Sequence, residues 1–326
     1  MLLKHKVLVT RRLPDQAMNM LEESCHVKLN AFDRAMTEGE LIDEIHDCDG
    51  LLSLLTDNID KEVMDASPNL KVIANYAVGF NNIDVAAATK KRIVVCNTPG
   101  VLTQTTADFA WALLMAVARR VVEADRFMRG GKYTGWSPTL LLGCDIYGKT
   151  LGLVGMGRIG AAVAKRASGF NMNVVYYDIK RLSQDEEEAL GIKYMNFEAL
   201  LKASDFISIH VPLFPDTRHL IGKEQFLIMK DSACLINTSR GPVIDENALV
   251  EALKLKQIAG AGLDVFENEP FMAPDLNKLD NVVLAPHIAS ATNETRTLMG
   301  VMAVKNLLAG LAGKLPPNCV NPQAWD

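Results

Sequence analysis

The sequence predicts an α/β protein of two doubly wound parallel-sheet domains, one inserted into the other. Two observations carry that expectation. Short β-branched or leucine-rich runs alternate with amphipathic stretches along the whole chain, the pattern of parallel strands covered by helices. The chain also has 326 residues, more than twice the roughly 150 of an average domain, and the one helical stretch after its last apolar run is too little to be a domain. With 49% hydrophobic and 22% charged residues the composition is that of a folded protein and excludes disordered and low-complexity classes.

In the first hundred residues the strand runs are KVLVT (6–10), GLLSLL (50–55), KVIANYA (71–77) and RIVVCN (92–97). Between them Thr37 and Glu40 form a capping-box pattern before Leu41, Ile42 and Ile45, and Asp84 opens the helix-forming VAAATKK. A long helix follows, opened by Thr105 and Thr106, running to about Arg129 and stopped by Gly130 and Gly131. Residues 130–149 carry Gly130, Gly131, Gly135, Pro138, Gly143 and Gly148, so this stretch reads as irregular; an ordered loop of such length is usually functional or packed against a partner. A second series then runs through TLGLVG (150–155), NVVYYD (173–178), DFISIHV (205–211), CLINTS (234–239), AGAGLDV (259–265) and NVVLAP (281–286), six strands for one sheet. After Pro286 a single helix, Asn293 to about Gly310, is expected to pack back on the first unit. The domains divide as 1–99 with 293–326, and 100–292.

Charge and cysteine usage narrow the function class. Lys and Arg number 34 against 39 Asp and Glu, a formal charge of −5, so neither nucleic acid nor an anionic membrane surface is an expected partner. The longest apolar run, Phe109 to Ala118, is about half of the roughly 20 residues a spanning helix needs. Six scattered cysteines without a CxxC pair point to reduced thiols and a cytoplasmic protein, and give no reason to expect a metal. The start, MLLKHKVLVTRR, has too short an apolar stretch for a signal-peptide core. Small-molecule chemistry gains weight.

Gly155-Met156-Gly157-Arg158-Ile159-Gly160 fits G-x-G-x-x-G between the strand run Leu151 to Val154 and the helix-forming AAVAKRA. Each part has a use in dinucleotide binding: Gly155 for the tight turn, Gly157 for close approach of a pyrophosphate, Gly160 for helix-on-strand packing, and a helix N-terminus aimed at negative charge. The acid expected about 20 positions on is Asp178. Its carboxylate can accept both adenosine ribose hydroxyls and would repel a 2′-phosphate, which favours NAD(H) over NADP(H); the neighbouring Lys180 and Arg181 temper that preference. Six strands and this loop make residues 100–292 a dinucleotide-binding domain.

Hydride transfer at a carbinol carbon needs a proton donor or acceptor and a cation for a substrate anion. Six histidines are available. His5, His26, His46 and His219 lie in or beside polar stretches, and His210 ends a strand run, where it lines the cofactor crevice. His287 follows Pro286 just beyond the last strand run, where open α/β sheets place ligands. Arg240 ends CLINTSR in the same way, followed by Gly241, which lets the backbone turn sharply. Glu269 in DVFENEP is one of several carboxylates there, with Asp264, Glu267 and Asp275.

These motifs together resemble the D-2-hydroxyacid dehydrogenase family over essentially the whole chain: NYAVGFNNID, GMGRIG, INTSRGPVIDENAL, GLDVFENEP and APHIASAT stand in family order at family spacing. Within it the chain is most similar to glyoxylate/hydroxypyruvate reductases, through GLLSLLTDNID, TQTTADFAWALL and GWSPTLLLG-DIYGKTLG. The resemblance implies a flavodoxin-like substrate-binding domain with an inserted Rossmann NAD-binding domain. It implies the catalytic set Arg240, Glu269 and His287. Substrate contacts fall on the backbone amides of Val78 and Gly79, with Leu54 nearby and Arg240. Thr106, Arg158, Ile159, Asp178, Val211, Pro212, Thr217, Thr238, Ser239, Asp264, His287 and Ala289 match cofactor-contacting positions, beside Gly155, Gly157 and Gly160.

The activity so implied is reduction of a small 2-oxo acid, glyoxylate or hydroxypyruvate, to the D-2-hydroxy acid. Arg240 polarises the carbonyl, His287 gives the proton and Glu269 favours the imidazolium. A homodimer is implied, the 130–149 loop reaching the neighbouring subunit's site. Two departures from related patterns stand out: NADPH-preferring glyoxylate reductases lack an acid where Asp178 stands, and many of these reductases have a second aromatic at Leu140. Phosphite dehydrogenases, close relatives, have a Lys where Val78 stands and are set aside. Alternative readings are phosphoglycerate dehydrogenase or another D-2-hydroxyacid dehydrogenase, and a NAD-sensing binding protein of the corepressor type; the short tail after the last helix speaks against both.

Overall fold

The apolar runs of the first hundred residues form parallel strands in a computed structural model that describes residues 4–325. Among these, two units form: one takes in the chain up to Leu102 and from Ala291 onward, the other Thr103–Ser290. The first begins β1 (Lys6–Val9), α1 (Asp15–Ser24), β2 (His26–Leu29), α2 (Glu38–Ile45), β3 (Gly50–Ser53), α3 (Lys61–Asp65), β4 (Val72–Asn75), α4 (Val85–Lys90) and β5 (Val94–Cys96). All pairings are parallel in the order β2-β1-β3-β4-β5, the flavodoxin-like arrangement. β2 has no run in the sequence reading. It is an edge strand paired only with β1, and none of its residues is fully buried, so no apolar pattern was needed to make it. The capping box forms as expected: the Thr37 hydroxyl accepts from the Glu40 N–H and Glu40 accepts from the Thr37 N–H at 2.8 Å. The Arg34 guanidinium and that N–H hold the Glu40 carboxyl down to about 2.

The second unit follows with α5 (Thr103–Ala118), α6 (Val121–Arg129), β6 (Thr150–Val154), α7 (Arg158–Ala167), β7 (Asn173–Tyr177), α8 (Gln184–Leu190) and β8 (Ile192–Tyr194). It continues through α9 (Phe197–Ala203), β9 (Phe206–Ile209), α10 (Lys223–Ile228), β10 (Cys234–Asn237), α11 (Glu246–Lys254), β11 (Gly260–Leu263) and β12 (Val282–Leu284). Its parallel sheet runs β12-β11-β10-β9-β6-β7-β8, the Rossmann order with one strand added. The sheet has seven strands where six were expected; the extra one, β8, is a three-residue edge strand. The single helix expected from Thr105 to Arg129 is two helices. α5 starts at Thr103, buries Trp111, Leu113 and Leu114 and packs on β10, β11 and α7. Arg120 then adopts a left-handed backbone, φ 52°, with its guanidinium paired to Glu123 at 2.8 Å, and α6 leaves with no buried residue.

The chain then returns to the first unit as α12 (Asn293–Leu311), capped by Thr292 and packed on α1, β3 and β4. Among the described residues no helix is long and apolar enough to cross a membrane.

Candidate active site

Parallel pairing delivers the carboxyl end of every strand of the second unit to one edge of its sheet, the ligand edge of an open α/β sheet. The glycine loop follows β6 there, Asp178 follows β7, His210, Val211 and Pro212 follow β9, Thr238, Ser239 and Arg240 follow β10, and Asp264 follows β11. His287 stands three residues beyond β12.

The glycine loop has the geometry that the spacing predicts. Gly155 sits at φ +99°, and a Cβ on it would lie 2.7 Å from the His210 carbonyl carbon. A Cβ on Gly160 would run into the Gly155 oxygen, whereas one on Gly157 would meet nothing within 4 Å, so the N-terminus of α7 is open to a ligand. Asp178 lies against this loop: its two oxygens accept the Met156 N–H at 2.7 Å and the Lys180 N–H at 3.0 Å. Thr238 Oγ1 is buried without a hydrogen-bond partner, which a bound polar ligand would correct. An open helix end, an acid beside it and an orphaned hydroxyl on the same edge fit a dinucleotide. Arg158 and Ile159 open α7, Thr106 is buried in α5, and Ala289 is buried beyond His287. The Thr217 hydroxyl is engaged in its own turn, on the Pro212 carbonyl at 2.7 Å.

Of the carboxylates near Arg240 and His287, the structure brings Glu269 to the imidazole. Glu269 Oε2 lies 2.9 Å from His287 Nδ1, and its Oε1 accepts the Phe266 N–H at 3.0 Å. Burial opposes ionisation of Glu269, but His287, the Phe266 amide and Arg240 together hold its carboxyl below the usual range. Arg240 donates from Nη1 to the Ser239 carbonyl at 2.7 Å, and burial disfavours its charge while Glu269 supports it. His210 lies beside Ser208 at 2.9 Å, and burial pushes its ring down to about 4. It is therefore neutral at physiological pH and a poor proton donor.

Residues that the sequence reading did not single out for this purpose hold the set in place. His287 has a left-handed backbone, φ 56°, uncommon for a residue with a side chain. Asp264 secures it: its carbonyl accepts the His287 N–H at 2.8 Å, and its fully buried carboxylate accepts the Ile288 and Ala289 N–H groups, both at 2.7 Å. Burial raises the Asp264 carboxyl despite those donors. Glu246, at the start of α11, accepts the Glu267 N–H at 2.6 Å and the Ala273 N–H, fixing both feet of the segment that carries Glu269. Glu267 in turn pairs with Arg218 at 3.0 Å and with His219 at 2.6 Å. The only sequence signal for Glu246 is an acid in the first turn of the helix after Arg240. Gly241 has a different use from the sharp turn expected of it. Its φ is not positive, but a Cβ there would land on the Phe266 carbonyl; its missing side chain lets the Arg240 strand end pack against the Glu269 segment.

In the first unit, Leu54 follows β3 and Val78 and Gly79 follow β4 by three and four residues. The Leu54 N–H donates to the buried Asp57 carboxylate at 2.7 Å. Asn97 donates to the Val78 carbonyl at 2.7 Å, and since N–H and C=O oppose each other across a trans peptide, this sets the direction of the Gly79 amide.

The family profile described as D-isomer specific 2-hydroxyacid dehydrogenase, NAD binding domain, matches residues 111–289. The chain belongs to that family. A glyoxylate reductase of Korarchaeum cryptofilum is 55% identical, with 98% of this chain and 97% of that protein covered; one of Thermococcus litoralis is 53% identical at the same coverage. The crystal structure of the TT0316 protein of Thermus thermophilus superposes with a TM-score of 0.90 at 46% identity, covering 97% of this chain and 99% of that one. The protein is thus an oxidoreductase with a Rossmann domain for a nicotinamide cofactor, acting on oxo acids and their hydroxy acids.

Gly241→Ala should separate Arg240 from Glu269. We expect a stability loss of about 1–3 kcal/mol from overpacking and a fall in turnover of at least about tenfold, read by thermal unfolding and steady-state rates. A variant that matched the parent in both would remove Gly241 from this role.

Proposed function

We propose that the protein reduces glyoxylate, or the related hydroxypyruvate, with NADH, with His287 as the proton donor. The observation that carries this reading is the 2.9 Å contact between His287 and Glu269, on the sheet edge that also bears the glycine loop and Asp178. The relatives named glyoxylate reductase support the substrate. The nicotinamide ring, when bound, supplies the hydride. Arg240 pairs with the carboxylate and carbonyl oxygens of the 2-oxo acid and polarises the carbonyl. Val78 and Gly79 hold the carboxylate through their amides, beside Leu54. His287, its Nδ1 fixed by Glu269, donates from Nε2 to the developing alkoxide, a step typically worth about 10²–10⁴ in rate.

A homodimer and a cytoplasmic setting complete the proposal. α6 has no buried residue, and the following loop exposes Trp136 (82%) and Tyr147 (71%), an apolar surface suited to a second copy. All six cysteines are free, as a reducing compartment requires. Light scattering should give twice the 35.7 kDa chain mass; a monomer at micromolar concentration would overturn the dimer.

His287→Asn should abolish reduction while NADH still binds, and loss of NADH affinity instead would misplace the imidazole. Glu269→Gln keeps a hydrogen bond to His287 but removes the carboxylate charge, so turnover should fall by at least about tenfold while NADH affinity holds. Unchanged turnover would remove Glu269 from the catalytic set.

Asp178 should impose a preference for NADH over NADPH of at least about tenfold in kcat/KM, roughly 1.4 kcal/mol, because a 2′-phosphate there meets like charge. Rates on both cofactors with glyoxylate, hydroxypyruvate and pyruvate test this, and equal use would refute it.

A further inference from the structure

Three residues beyond Asp178 stands Arg181, the guanidinium best placed in sequence to meet a 2′-phosphate, and its side chain is already occupied. Glu187 on α8 accepts from Arg181 Nε at 2.8 Å on one oxygen and from Nη2 at 3.0 Å on the other. The Glu187 oxygen that takes Nε also accepts the hydroxyl of Tyr176, a fully buried residue of β7, at 2.7 Å. That hydroxyl accepts the Leu182 N–H at 2.9 Å, so the backbone just after Arg181 is tied to the same cluster. The guanidinium carbon lies 5.3 Å from the ring centroid of Tyr194 on β8. A two-pronged carboxylate and an aromatic face together hold Arg181, a geometry that lysine cannot reproduce.

Glu187 is only 8% exposed. Its place is set by the capping box that starts α8, in which Ser183 and Glu186 bond reciprocally. Arg181 first and Tyr176 second hold its carboxyl down to about 2, so it is ionised at neutral pH.

We propose that Glu187 is a positioning residue for cofactor choice: it withholds Arg181 from the adenosine ribose, so that Asp178 meets the ribose without that guanidinium to compensate a 2′-phosphate. The inference rests on the reading that Asp178 faces that ribose. It assigns the low use of NADPH to two carboxylates, one that repels the phosphate and one that removes its counter-ion.

Direct binding of NADH and NADPH by calorimetry to the parent, Asp178→Ser, and Asp178→Ser with Glu187→Gln tests it. Asp178→Ser alone should tighten NADPH by no more than about threefold. Adding Glu187→Gln should tighten it at least a further tenfold, about 1.4 kcal/mol, while NADH affinity changes by less than about threefold between these two variants. Adding Arg181→Met should cancel the gain. A double variant that binds NADPH no better than Asp178→Ser overturns the proposal. Should the double variant fail to fold, Asp178→Ser with Arg181→Met decides: unchanged NADPH affinity supports a withheld Arg181, and a fivefold loss overturns it. A parent that binds both cofactors equally refutes the Asp178 reading instead, a result separate from the comparison between the variants.

Discussion

Parallel pairing in register is the constraint on which the second unit depends. Val154 at the end of β6 pairs with Tyr177 on one side and Ile209 on the other, Ile209 with Asn237, Asn237 with Leu263, and Leu263 with Leu284. The next residues along each strand, Gly155, Asp178, His210, Thr238 and Asp264, therefore form one row along the sheet edge. Residues far apart in sequence meet there because the backbone hydrogen bonds leave no other register.

Beside that row two carboxylates close to His287 are driven in opposite directions by their surroundings. Asp264 is buried and meets backbone N–H groups, and its carboxyl is raised; Glu269 meets an imidazole and a guanidinium, and its carboxyl is lowered. The first shapes a strained backbone at His287, and the second supplies charge to the ring. Identical chemistry thus holds a backbone in one place and an imidazole in the other, a division set by neighbours rather than by residue type.

What the sequence made legible follows from where the physics is local. Ten of the twelve strands showed as apolar runs, because each is covered by helices on both faces. β2 and β8 did not: β2 buries none of its residues fully and β8 only Ile192, so neither needs such a run. The capping box at Thr37 and the glycine loop were legible because their partners are three to five residues apart. His287 and Arg240 could be placed by their positions after strands, but choosing Glu269 from its neighbours needed the family resemblance or the fold. The bonds of Asp264 and Glu246, the approach of Gly241 to Phe266, and the capture of Arg181 by Glu187 all depend on tertiary neighbours. So does the break at Arg120, where an apolar helix that stays on the sheet gives way to an amphipathic one that leaves it.

The hold of Glu246 on the Glu267 and Ala273 amides has a consequence for how this region can vary. With both feet of the segment anchored, and Asn268 bridged to Phe271, the turn that carries Glu269 is closed on itself and tied down on either side. Phe271 is 75% exposed and contributes little to the packing below. Such an exposed side chain is free to drift in sequence, and it offers a site for a covalently attached reporter of how firmly this turn is held.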